Sequence, residues 1–77
     1  MIKVVNLKIE GMHCGSCINR IDRAARLAGA KDVDVNLPRR FGRLTYDDDT
    51  TDAEVLRQAI AEAGYDVTKL GVFDQDE

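Results

Sequence analysis

The sequence predicts an α+β domain of βαββαβ order: a four-stranded antiparallel sheet with two helices on one face. Three observations carry this expectation. Apolar and polar residues alternate at the N-terminus as in a half-buried strand, two separate stretches show helical spacing, and 77 residues leave room for one domain only. A chain this short buries roughly 60% of the surface its unfolded form exposes. Most of its 44% hydrophobic residues are therefore committed to the core, which argues against a large enclosed active site.

In the first strand Val5, Leu7 and Ile9 alternate with Asn6, Lys8 and Glu10, and Gly11 ends it. The first helix is expected over Cys17 to Ala28, where Ile18, Ile21, Ala24, Ala25 and Ala28 recur at helical spacing, with Ser16 as N-cap and Gly29 as the stop. Val33, Val35 and Leu37 give a second strand that halts at Pro38. Residues Pro38 to Gly42 turn the chain into a hairpin whose third strand points Leu44 and Tyr46 inward. Asp47-Asp48-Asp49-Thr50 reads as a solvated turn, since it lacks the spaced glycine and terminal Glu of an EF-hand calcium loop. Thr51 and Glu54 have capping-box spacing ahead of a helical stripe of Val55, Leu56, Ala59, Ile60 and Ala63, closed by Gly64. Tyr65 to Val72 forms a weaker last strand, with Val67 and either Leu70 or Val72 apolar, and residues 73–77 an acidic frayed tail. This order is the split βαβ or ferredoxin-like arrangement.

Eleven Lys and Arg against 14 Asp and Glu give a net charge of −3 and a pI near 5.0, which excludes the basic footprint of a nucleic-acid binder. Polar residues interrupt every apolar run of the first eight positions, so neither a signal-peptide core nor a membrane span can be drawn there and a cytoplasmic location is expected. In that reducing compartment two cysteines point to metal binding or redox chemistry instead of a structural staple.

Both cysteines lie in Gly11-Met12-His13-Cys14-Gly15-Ser16-Cys17, between the first strand and the first helix. A helix N-terminus offers unpaired amides and a partial positive charge, which favour thiolate over thiol. Two intervening residues, one of them glycine, let both sulfurs approach one ion, and a thiolate pair suits Cu(I) better than oxygen-preferring ions. A thioredoxin-like oxidoreductase also carries CxxC at a strand-to-helix junction. That family usually has a Trp before the motif and a Pro within it, whereas this chain has no Trp and its only Pro is Pro38. Closed structural zinc needs four ligands, more than Cys14, Cys17 and His13 supply.

The run GMHCGSC, followed by Ile18-Asn19-Arg20-Ile21-Asp22, resembles the heavy-metal-associated (HMA) domain family, whose GMxCxxC pattern it meets in full. The resemblance extends over about residues 3 to 70, including Val35-Asn36-Leu37 and Gly64-Tyr65-Asp66, and draws the domain as residues 1–72. It implies the βαββαβ fold and a non-enzymatic Cu(I) carrier. Cys14 and Cys17 would be the ligands, and a copper-transporting P-type ATPase or another copper acceptor the partner. The alternative it leaves is an N-terminal metal-binding domain of such an ATPase. Ag(I) is expected to be accepted at the same pair, and Zn(II) and Hg(II) stay open. So does a metal-bridged dimer formed from an apo monomer.

Around the pair, Met12 is read as core beneath the loop, with a thioether ligand as the alternative. His13 is read as facing solvent, since adjacent side chains in an extended loop point apart, with a third ligand or a proton-dependent modulator as the alternative. Tyr65 either shields the sulfurs and tunes release, as the resemblance implies, or simply packs as an aromatic with its hydroxyl in water. Arg20, Arg23 and Arg26 form either a docking row for an acidic partner, Arg20 and Arg23 foremost, or a solvated face.

Overall fold

The computed structural model describes residues 1–11, 15–36 and 38–74, for residues 15 and 16 the backbone only. Its elements are β1 (Ile2–Glu10), α1 (Gly15–Leu27), β2 (Ala30–Asn36), β3 (Phe41–Asp47), α2 (Ala53–Glu62) and β4 (Asp66–Asp74). The antiparallel sheet has the order β2-β3-β1-β4, so the first strand is central and the last lies at an edge. Val5, Leu7 and Ile9 are fully buried from β1. Across the ladders Val5 meets Leu44 of β3 and Val72 of β4, and Ile9 meets Val67. Over this face α1 contributes Ile21 and Ala25, and α2 contributes Leu56 and Ile60.

The first helix starts at Gly15, two residues before the expected Cys17. Ser16 therefore lies inside the first turn and does not cap it, and Met12, His13 and Cys14 are outside the described residues. Glycine and serine cost little here, because the first amides of a helix have no intrahelical partner in any case. At the other end Gly29 stops the helix as expected, with φ +115° and its N–H donated to the Arg26 carbonyl at 3.1 Å. β2 starts at Ala30 instead of Val33, because Ala30 already pairs with Tyr46 before the register shifts at Asp32. Leu37 lies outside the described residues. In the hairpin turn the Asn36 side chain accepts from the Arg39 amide at 3.1 Å, and Gly42 of β3 leaves room for the end of the Ile9 side chain, whose Cδ1 would stand 2.8 Å from a Cβ there.

The N-cap of α2 is Asp52, whose carboxylate accepts from the Val55 amide at 2.9 Å. The capping box expected of Thr51 and Glu54 does not form: Thr51 Oγ1 is buried without a partner, and Glu54 pairs with Arg57 instead. Of the expected stripe, Leu56 and Ile60 are fully buried while Val55 faces solvent, and Ala53 joins the core in its place. β4 continues through Phe73 and Asp74, which pair with Val4 and Lys3. The chain is thus ordered in the sheet beyond the boundary drawn at residue 73, and Lys3 Nζ donates to Asp74 Oδ1 at 2.8 Å. Residues 75–77 are outside the described set. Leu70, Val72 and Phe73 all stay exposed.

Candidate metal centre

Cys17 sits in the first turn of α1, half-buried and packed against the core cluster. The helix start places it where unpaired amides favour the thiolate. Facing it is Tyr65, between α2 and β4, only 7% exposed. The antiparallel register sets this neighbourhood: Glu10 is opposite Asp66, so Gly11, one residue on, comes beside Tyr65, one residue back. Gly11 has φ +94°, and a Cβ there would stand 3.7 Å from Tyr65 Cδ1. The ring is thereby seated against the strand end that leads into the CxxC loop.

Tyr65 touches Cys17 as well as the strand end. Hydrogen bonding to Cys17 raises its hydroxyl pKa above the ordinary value, with burial and the Cys17 charge adding to the rise, while Arg20 pulls the other way through its charge and a hydrogen bond. Arg20 follows Cys17 by three residues, on the same face of α1. The three-residue spacing was legible in the sequence, but the meeting with Tyr65 was not, since only the sheet register brings them together. The role of Gly11 went unread for the same reason.

The arginine row divides. Arg26 pairs with Asp22 four residues earlier and donates to the Lys31 carbonyl at 3.2 Å, so it ties α1 to the start of β2. Arg23 is exposed and lines an open groove with Asn19, Asp22, Arg26 and Leu27. Arg20 acts on Tyr65 through its charge and a hydrogen bond. The acidic run closes a turn, as expected: Asp47 Oδ1 accepts from the Asp49 amide at 3.0 Å, and the Met1 amino group pairs with Asp47, Asp48 and Asp49. That contact, chiefly the hydrogen bond to Asp48, pushes the amino pKa up to about 10. No helix among the described residues is long and apolar enough to cross a membrane.

A four-stranded sheet with two helices on one face, and a cysteine in the first turn of the first helix, defines a small α+β domain with its chemistry at one end. Residues 6–66 match the heavy-metal-associated domain family, and the chain belongs to it. The copper chaperone CopZ of Staphylococcus epidermidis is 40% identical over 62 residues, which cover 79% of this chain and 91% of that protein. Copper-transporting ATPase 1 of Rhizobium meliloti is 39% identical over 62 residues, 79% of this chain but 7% of that much longer protein. Among solved structures, the yeast copper transporter domain determined in the apo and Cu(I)-loaded states aligns with a TM-score of 0.82 at 30% identity, covering 90% of this chain and 96% of that one.

Proposed function

We propose that this protein is a Cu(I) carrier that binds one ion through Cys14 and Cys17 and passes it to a partner by thiolate exchange. The observation that carries the reading is Cys17 in the first turn of α1 with Tyr65 against it, in a chain 40% identical to a protein named as a copper chaperone. Two thiolates hold Cu(I) with low coordination number, and soft sulfur gives the affinity. An incoming thiolate adds to give a three-coordinate bridge, and one of the original Cu–S bonds then breaks. Copper remains Cu(I) throughout, and each departing sulfur leaves as thiolate, so no electron acceptor is needed. The protein acts as a binding and transfer module in the cytoplasm, not as an enzyme. Its partner is the metal-binding domain of a copper-transporting ATPase, approached through the α1 end that bears Arg20 and Arg23. Ag(I) enters the same pair.

A second reading, the metal-binding domain of such an ATPase, is favoured by the match to the Rhizobium meliloti transporter. The two readings share one test of the site. Replacing Cys14 and Cys17 together by Ser is expected to abolish Cu(I) retention against a Cu(I) chelator while leaving the far-ultraviolet circular dichroism unchanged. Retention equal to wild type refutes the assignment. Native mass spectrometry with Cu(I), Ag(I) and Zn(II) under reducing conditions then reads metal preference and any metal-bridged dimer. A zinc complex that outcompetes copper overturns the choice of metal.

A further inference from the structure

We infer that the outer edge of β4 is a self-association surface: two copies of the chain pair these strands antiparallel about a two-fold axis at Val72, joining their sheets into one. The contact is weak and reversible. It lies at the Lys3 and Asp74 end of the sheet, away from the strand end that leads into the CxxC loop, and needs no metal.

The two outer strands of the sheet, β2 and β4, differ in how their edges are guarded. β2 exposes Lys31, Asp32, Asp34 and Asn36, and Asp32 Oδ1 accepts from the Val33 amide at 3.0 Å, which occupies a backbone donor of that strand. Charges on an edge strand are a common defence against pairing with another chain. β4 instead holds Leu70, Val72 and Phe73, 56%, 40% and 56% exposed, half of the six large apolar side chains exposed among the described residues. Its bulge falls at Leu70, so Gly71 to Asp74 keep an unbroken ladder to β1. The start of α2, which packs over β4, adds the exposed Val55 at the same end of the molecule.

This stretch is complementary to itself. Pairing with β1 sets Lys69, Val72 and Asp74 on the helix-bearing face and Gly71 and Phe73 on the open face. A two-fold axis through a pair of antiparallel strands makes one residue face its own copy. With Val72 in that place, the two Val72 side chains meet on the helix-bearing face, and each Phe73 stands opposite Gly71 of the other copy on the open face. The Phe73 ring already lies over its own Gly71, with Cζ 3.1 Å from where a Cβ would be, and an aromatic across from a strand glycine covers the backbone that the glycine leaves bare. With Leu70 as the extra residue, as in the ladder to β1, Lys69 falls opposite Asp74 of the other copy, twice by symmetry, and opposite charges across strands attract. A register centred on Leu70 would set Asp66 against Asp74, two like charges. An overlap of five residues per copy covers roughly 300–500 Å² on each, below the about 800 Å² per partner of a standard interface. The dissociation constant is therefore on the order of 10⁻⁴ M.

The test is sedimentation equilibrium of the full chain from about 10 μM to about 1 mM, a range that brackets this constant. A Cu(I) chelator and a thiol reductant are present, to exclude dimers bridged by metal or disulfide. A monomer–dimer equilibrium is expected, which Val72→Lys and Phe73→Lys each weaken at least tenfold and Asp34→Lys, on the β2 edge, leaves within twofold. The register is read separately with a short bis-maleimide in the chain carrying Cys14→Ser and Cys17→Ser. Val72→Cys is expected to cross-link at least tenfold faster than Thr68→Cys, whose two copies lie roughly 25 Å apart in this register. A chain that stays monomeric throughout overturns the inference. So does a dimer that Asp34→Lys weakens as much as Phe73→Lys, by assigning association to another surface, and so does equal cross-linking at positions 68 and 72. Should a lysine variant lose its far-ultraviolet circular dichroism, the cross-linking pair, which adds only a thiol to an exposed strand, decides alone.

Discussion

Gly29→Ala and Gly64→Ala form a matched pair that measures how firmly the far end of α1 is pinned to the start of α2. Both glycines have left-handed φ, +115° and +107°. Placing alanine in either costs about 1–3 kcal/mol of backbone strain. At Gly64 a new Cβ meets nothing within 4 Å, so strain is the whole cost. At Gly29 it would come 2.9 Å from both Cβ and Cγ2 of Thr51. Thr51 has little room to yield, because its amide is bound to the Asp47 carbonyl at 3.1 Å and the next residue caps α2. Overlap of this kind adds roughly 1–3 kcal/mol. The sum at Gly29 is then about 2–6 kcal/mol, against a total stability on the order of 4–12 kcal/mol for a chain of this length. Urea unfolding followed by circular dichroism is expected to show Gly29→Ala less stable than Gly64→Ala by about 1–3 kcal/mol, with a Tm gap of roughly 5 °C or more. Losses equal within about 0.5 kcal/mol would refute the steric argument and mean that Thr51 moves aside.

Two further predictions address the cap and the pH response. Asp52→Ala is expected to cost about 1 kcal/mol in the same urea assay, whereas Thr51→Val, which exchanges an unpartnered buried hydroxyl for a methyl, is expected to raise stability by up to about 1 kcal/mol; the reverse order would return the cap to Thr51. On the alkaline side, burial raises the Tyr46 pKa above its ordinary value near 10, and the Met1 amino group is pushed up to about 10 from 8.0. Both groups are more protonated in the fold than in the unfolded chain, so their stabilisation is complete below pH 8 and is lost as pH rises through 8 to beyond 10. Chemical denaturation across that range is expected to show a falling limb whose upper part, to which Tyr65 also contributes, is weakened in Tyr46→Phe.

How far the sequence could be read depended on whether burial or backbone pairing decided each element. The period-two run Val5, Leu7, Ile9 was legible because one face of a central strand must be buried, and all three side chains are. The start of α1 was not, since the first-turn amides lack intrahelical partners whichever residue begins the helix. Nor was the cap of α2, because Thr51 and Asp52 are both good capping residues and only the placement of their side chains chose between them. β4 ran past its apolar pattern for a third reason: an edge strand is held by its ladder to β1, so Leu70, Val72 and Phe73 remain in the sheet although exposed.

The candidate site repeats this division, and one backbone irregularity governs its hidden half. The CxxC spacing made the position of Cys17 legible, and Tyr65 beside it was named only through the family resemblance. Tyr65 depended on the register between β1 and β4, which pairs Asn6 with Gly71 but Leu7 with Lys69. Leu70 is the extra residue of that bulge. Without it the ladder would set Glu10 opposite Val67 instead of Asp66, and Tyr65 would fall one residue out of step with Gly11. A one-residue slip in a strand reverses the face to which every side chain points, so in the unbulged register Val67 would stand opposite Glu10 instead of the buried Ile9. The exposed Leu70 thus acts through the backbone: its insertion sets the register in which Gly11 comes beside Tyr65.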